Sequence, residues 1–237
     1  VSQRQSKSEA AGNRESERRR TILRAAIDVF ARKGYHGCRI ADVAREAGVA
    51  YGLVYHYFKN KDELLETVVE TGWSGFVARM RSVALDESTS LEEKVRGIAD
   101  VAFEAYRVDP RAVKVLILEV ARSPAGTQVV SRQQAYLDTI RMAADMFARA
   151  QGTGELRGDL DPMLCASLLF GAIELGLTAF VSGLMEDRGP EALDRAKLQI
   201  AESFLRGVLP GAATPAEASW KQEKVSSGTR PKAGKRS

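Results

Sequence analysis

Residues 34–65 read GYHGCRIADVAREAGVAYGLVYHYFKNKDELL. Ile40, Val43, Ala44 and Ala47 recur at helical spacing, which predicts a short helix over 40–47. Gly48 breaks it, and Val49 is a lone apolar residue in the turn. A second short helix follows over Tyr51–Phe58, with Val54 and Phe58 four apart on its inner side. Two short helices joined by a glycine-containing turn, the second bearing exposed polar and aromatic residues, have the form of a helix-turn-helix. The second helix is slim enough to enter a DNA major groove about 12 Å wide, while the first packs behind it. Asn60 to Glu63 then sets an N-cap with glutamate three residues on, opening a long helix to about Leu85.

Upstream, Ile22, Ala26, Val29 and Phe30 predict a helix over about Ser16–Lys33, with Gly34 where a left-handed C-terminal cap belongs. Residues 1–15 are polar without apolar periodicity and are expected to be a disordered basic arm. Downstream helices are expected over about 90–108, opened by Ser90 with Glu93, and over about 111–122 and 127–150. Two more are expected over 162–184, entered through Asp161 and Pro162, and over 190–208. The stretch from 211 to 237, rich in Ala, Pro, Ser, Gly and Lys, reads as a disordered basic tail. Nine helices and no strand make the chain all-α, with a helix-turn-helix unit over 16–62 and a helical body over 63–210.

The 237 residues suffice for a buried core without staples. Net charge is +4, but it is unevenly spread. Residues 1–61 are basic, residues 62–210 hold sixteen Lys and Arg against twenty-three Asp and Glu, and the tail is basic again. A nucleic-acid-binding head on an acidic body would have this polarity. Cys38 and Cys165 form no disulfide framework, so a reducing cytoplasm is the expected setting. No leader-like apolar segment opens the sequence, and no apolar run is judged to approach the roughly 18 residues of a membrane span. With two histidines and two cysteines, no metal site is expected. A phosphate-binding glycine loop, a Gly-x-Ser-x-Gly elbow and a Cys/His pairing are missing as well, which argues against an enzyme and leaves no catalytic residue or cofactor to assign.

Beyond Ile22-Leu-Arg-Ala-Ala, the run Gly34-Tyr35, Ile40-Ala, Ala47-Gly48-Val49, Gly52-Leu-Val-Tyr55-His-Tyr57-Phe58 and Lys59-Asn-Lys61 resembles the DNA-binding domain of TetR-family transcriptional regulators over about 45 residues. Two positions depart from that pattern. Cys38 stands where the family usually has Thr or Ser, a type suited to capping the second helix, with Arg39 beside it as a phosphate contact. Leu53 stands where a small or hydroxylated residue is usual and would meet a thymine methyl. The resemblance implies that Ala50, Tyr51 and Leu53, with Gly52 among them, face base edges. Tyr55, His56, Lys59 and Lys61 would then reach phosphates. Tyr57 reads as edge packing, and Arg18–Arg20 suit phosphate or minor-groove contact.

The resemblance further implies a homodimeric repressor that binds a palindromic operator on double-stranded DNA and is released by a small-molecule effector bound in the body. Residues 164–181, apolar or small except Glu174, independently suggest a helix buried on several sides, in core and dimer interface together. Trp73, Phe76, Phe103, Tyr106, Leu116, Val120, Tyr136, Ile140, Phe170 and Ile173 are the candidate lining of an apolar effector pocket. The 34–36, 55–61 and 154–174 stretches look like those of fatty-acid-degradation regulators that respond to long-chain acyl-CoA. A tunnel with a basic mouth at Arg107, Arg111 or Arg132 would suit that ligand, and no acidic or buried histidine cluster suggests a metal or polyamine. Gly72 and Gly75 in the fourth helix mark either a bend near the domain junction or packing sites. The alternative function is a DNA-binding protein that works through a protein partner, and a filled body would favour it over a sensor.

Overall fold

The computed structural model describes residues 2–120, 129–185 and 189–211, with side chains from Gly12 onward except at 119–133, 186–188 and 190. Among the described residues it is all helical, in the order α1 (Ser2–Gly37), α2 (Ile40–Glu46), α3 (Tyr51–Tyr57), α4 (Lys61–Ala84), α5 (Leu91–Val108), α6 (Pro110–Val120), α7 (Val129–Thr153), α8 (Pro162–Val181) and α9 (Pro190–Val208). The expected tail from 212 onward lies outside the described residues.

The caps read from sequence are made. Asn60 Oδ1 accepts from Glu63 N at 2.8 Å, Ser90 and Glu93 form a reciprocal capping box, and Asp161 Oδ1 accepts from Leu164 N at 2.8 Å. Each fills an otherwise unpaired amide of a first helical turn. Gly34 leaves helical geometry at φ 70°, ψ 163° and ends the regular part of α1.

Two expectations are corrected. Residues 2–15 are not an unstructured arm but the first turns of α1. Good helix formers (Gln, Lys, Glu, Ala, Arg) extend a helix already nucleated by its packed half, a far smaller cost than starting one. An apolar run of membrane-spanning length also exists: α8 has 20 residues with a mean hydropathy of 2.0, and 44% of that window is buried. The reading missed it because small residues and Glu174 interrupt the large apolar ones.

Two cores form. Ile22, Val29 and Phe30 of α1 pack with Val43, Val54 and Phe58 and with Leu64, Leu65, Val68 and Val69 at the start of α4. The body core runs from Met80 and Ala84 of α4 through α5, α7, α8 and α9. Helix α6 serves both. Val115 is buried in the N-terminal core while Val113 belongs to the body core, and Arg111 pairs with Asp28 of α1 at 2.6 Å. The two units are therefore joined twice, through α4 and through α6.

Candidate functional site

Helix α2 packs behind α3. Ile40, Val43 and Ala44 bury its inner face, and charge adds to that packing: Asp42 takes Lys33 of α1 at 2.8 Å and Arg45 at 2.6 Å, and accepts from Arg39 N at 3.0 Å. Glu46 adds a pair with Arg32 of α1 at 2.6 Å. The Lys33 contact, with the Arg39 amide, lowers the Asp42 pKa to about 2. The turn that follows needs Gly48 at φ 65°, a left-handed conformation that side-chain-bearing residues rarely adopt.

Cys38 does not occupy the capping position of α2. Arg39 is the N-cap residue, and Cys38 is buried just before it, with its thiol donating to Tyr35 O at 3.4 Å. Burial pushes that thiol pKa up. Because arginine has no acceptor, the Asp42 carboxylate alone serves this helix start.

Along α3, Val54 and Phe58 point inward and are 0% and 1% exposed, while Ala50, Tyr51, Gly52, Tyr55 and His56 are exposed and Leu53 is half-buried. Tyr51 and Tyr55, 54% and 44% exposed, stand one turn apart. Their rings meet edge to face at 5.1 Å and their hydroxyls hydrogen-bond at 3.2 Å. That bond raises the Tyr55 pKa. Tyr57 is half-buried against the N-terminal core. Arg39 and Lys59 are exposed as well. Lys61 is turned differently: Nζ donates to Tyr35 O at 2.7 Å and Cys38 O at 3.1 Å, and lies 4.2 Å from the Tyr35 ring centre. Two of its three N–H groups thus brace the turn between α1 and α2, and the Tyr35 hydroxyl donates to Asp62 beside it.

In the body, a cavity of about 590 Å³ opens between α4 and α7, walled by Val69, Trp73, Val77, Tyr136 and Met142 and rimmed by Glu66, Glu70, Asp138 and Arg81. Trp73 stacks near Tyr136 at 5.9 Å and Phe76 at 5.5 Å. Tyr136 donates to Glu174 at 3.2 Å, and desolvation, with the Glu174 charge, pushes its pKa up to about 12. The expected lining divides. Trp73 and Tyr136 reach the cavity, whereas Phe103, Tyr106, Ile140, Phe170 and Ile173 are buried in the body core. Phe76 packs on that core from the edge, Leu116 packs on the N-terminal one, and the Val120 side chain lies outside the described residues.

The basic mouth is not assembled. Arg107 pairs with Asp194 and Arg111 with Asp28, each at 2.6 Å, and Arg132 falls outside the described side chains. The carboxylates of Glu66, Glu70 and Asp138 were missed because they are separated in sequence by a whole helical hairpin. A second opening, a groove of about 1210 Å³, lies between α8 and α9 along Leu164, Leu168, Leu175, Ile200 and Phe204. Among the described residues, no three His, Cys, Asp or Glu side chains are grouped to hold a metal.

The helix-turn-helix and its flanking helices coincide with a family match: residues 22–68 fit the model for bacterial regulatory proteins of the tetR family. Over those residues the chain resembles the DNA-binding domain of that family. The chain is 28% identical over 162 residues to the fatty acid metabolism regulator protein of Bacillus subtilis, covering 68% of this chain and 81% of that one. Its fold matches FadR from Bacillus subtilis in complex with stearoyl-CoA at a TM-score of 0.67 and 23% identity, over 82% of this chain and 98% of that one. It also matches AibR in complex with isovaleryl coenzyme A and operator DNA at a TM-score of 0.66 and 20% identity, over 81% and 98% of the two chains.

Proposed function

We propose that this protein is an effector-released transcriptional repressor that binds a palindromic operator as a homodimer. The observation that carries the reading is the exposed, mutually braced Tyr51–Tyr55 pair on a helix whose opposite side is fully buried. Residues 16–62 are the DNA-binding domain and 63–210 the ligand-binding and dimerisation domain. Ala50, Tyr51, Gly52 and Leu53 meet base edges, and Arg39, Tyr55, His56 and Lys59 meet phosphates. Lys61 acts chiefly by holding the turn that carries Arg39. The protein works by binding rather than by catalysis, in the cytoplasm.

Dimerisation uses α8 and α9, where Leu164, Leu168 and Leu175 are 58%, 57% and 71% exposed along one groove. An apolar strip of this extent on a monomer would be costly in water. The effector is an acyl-CoA thioester whose acyl chain lies along Trp73, Val77, Tyr136 and Met142. Support comes from the stearoyl-CoA and isovaleryl coenzyme A held by the two structural neighbours, and an open cavity favours a sensor over a protein acting only through a partner. The Glu66, Glu70 and Asp138 rim favours a second reading, an amphiphile of similar length with a neutral or cationic head, since phosphates would be repelled there.

Selection from a random duplex library tests the DNA reading. A palindrome with half-sites one helical turn apart is expected, and Tyr51→Ala should relax the preference within each half-site. Recovery of no common sequence would sink it.

A further inference from the structure

Helix α1 begins at Ser2, whereas the tetR-family match begins at residue 22. Residues 2–21 therefore add about 30 Å of helix ahead of the matched segment. From Gly12 to Thr21 every side chain is exposed, and no residue from Ser2 to Thr21 is a large apolar one. The segment has no stripe with which to pack on a partner helix or enter a bilayer. Charge is its only distinguishing feature: residues 1–20 hold six Arg and Lys against three Glu, with Arg14 and Arg18 one turn apart on one face.

Its exit point matters. The Arg19 guanidinium carbon lies 5.3 Å from the centre of the Phe58 ring, and Phe58 is the C-cap residue of α3. The basic helix thus leaves the domain beside the C-terminal end of the helix proposed to read bases. A cationic rod emerging there faces the phosphates that flank whatever sequence α3 occupies.

We infer that the N-terminal extension of α1 is a second DNA-contacting element, which grips the duplex backbone outside the half-site through Arg14 and Arg18. The inference rests on the DNA-binding reading above. It makes the footprint longer than the helix-turn-helix requires and makes affinity steeply dependent on salt. The contact carries no base information, so it strengthens binding to the operator and to unrelated DNA alike.

The test compares the unaltered protein with Arg14→Gln/Arg18→Gln, glutamine being an equally good helix former. Circular dichroism melts establish that the variant is folded. Affinity is measured against salt on two duplexes: the selected operator with about ten flanking base pairs on each side, and the same operator trimmed to its half-sites. On the long duplex the variant's slope of log affinity against log salt should be shallower, by about 0.9 per lost phosphate contact. On the trimmed duplex the two proteins should converge. Equal slopes on the long duplex would overturn the inference while leaving the DNA-binding reading intact. Failure of the unaltered protein to prefer the operator on either duplex would overturn both.

Discussion

Lys33, Arg45 and the Arg39 amide meet on one carboxylate, that of Asp42, which makes it the pin between α1 and α2. Its pKa, ordinarily 3.8, is lowered to about 2, so the ionised form is favoured in the folded state. The resulting stabilisation is fully present above about pH 4 and is lost as pH falls towards about 2. Asp42→Asn should therefore be less stable than the unaltered protein at neutral pH and should converge with it near pH 2, measured by denaturant unfolding across that range. An equal gap at both ends would mean that Asp42 acts through packing alone. This role was hidden in the sequence, where Asp42 reads only as a polar residue between Ile40 and Val43. Its partners come from three separate places, Lys33, Arg39 and Arg45, that only the fold unites. The outward row of α3 was legible, because Val54 and Phe58 fix the inner face and the remaining positions follow from helical spacing.

Helix α4 crosses from one core to the other without a break at Gly72 or Gly75, neither of which has a positive φ. The two glycines differ in surroundings. A Cβ at Gly72 would come within 3.3 Å of Leu116 Cδ1 on α6, while one at Gly75 would meet nothing within 4 Å. Gly72 is thus a packing site that lets α6 approach, and Gly75 is a simple weak point of the helix. Gly75→Ala should stabilise the protein by about 1 kcal/mol, a rise in Tm of about 2–4 °C. Gly72→Ala should gain little or lose stability, because Leu116 must shift. Equal gains in calorimetry would contradict the packing role. Element boundaries were readable from caps such as Ser90 with Glu93 and Asp161 with Pro162, since these act within one turn. The double duty of α6 was not, because its sequence, Pro-Arg-Ala-Val-Lys-Val-Leu-Ile-Leu-Glu-Val, is apolar on more than one side and does not say which neighbour each side meets.

Helix α4 contributes both to the core beneath α3 and to the wall of the open cavity in the body. Glu66, Val69 and Glu70 on the cavity wall lie within or next to the turns of α4 that complete the N-terminal core. Occupancy of the cavity would bear directly on the start of α4 and hence on the orientation of the DNA-binding unit. Sequence could supply the aromatic residues of the body but not their allocation, because Phe103 in the core and Trp73 at the cavity differ only in how neighbouring helices meet. Release of this protein from DNA by an amphipathic effector is tested by fluorescence anisotropy of a labelled operator duplex at fixed salt. Oleoyl-CoA is titrated in one arm and a neutral amphiphile of the same chain length in another. Oleoyl-CoA should give a saturable fall in anisotropy that Trp73→Ala weakens at least several-fold; release by the neutral compound alone would transfer the role to the second class of effector. Anisotropy that stays high with both would contradict the claim.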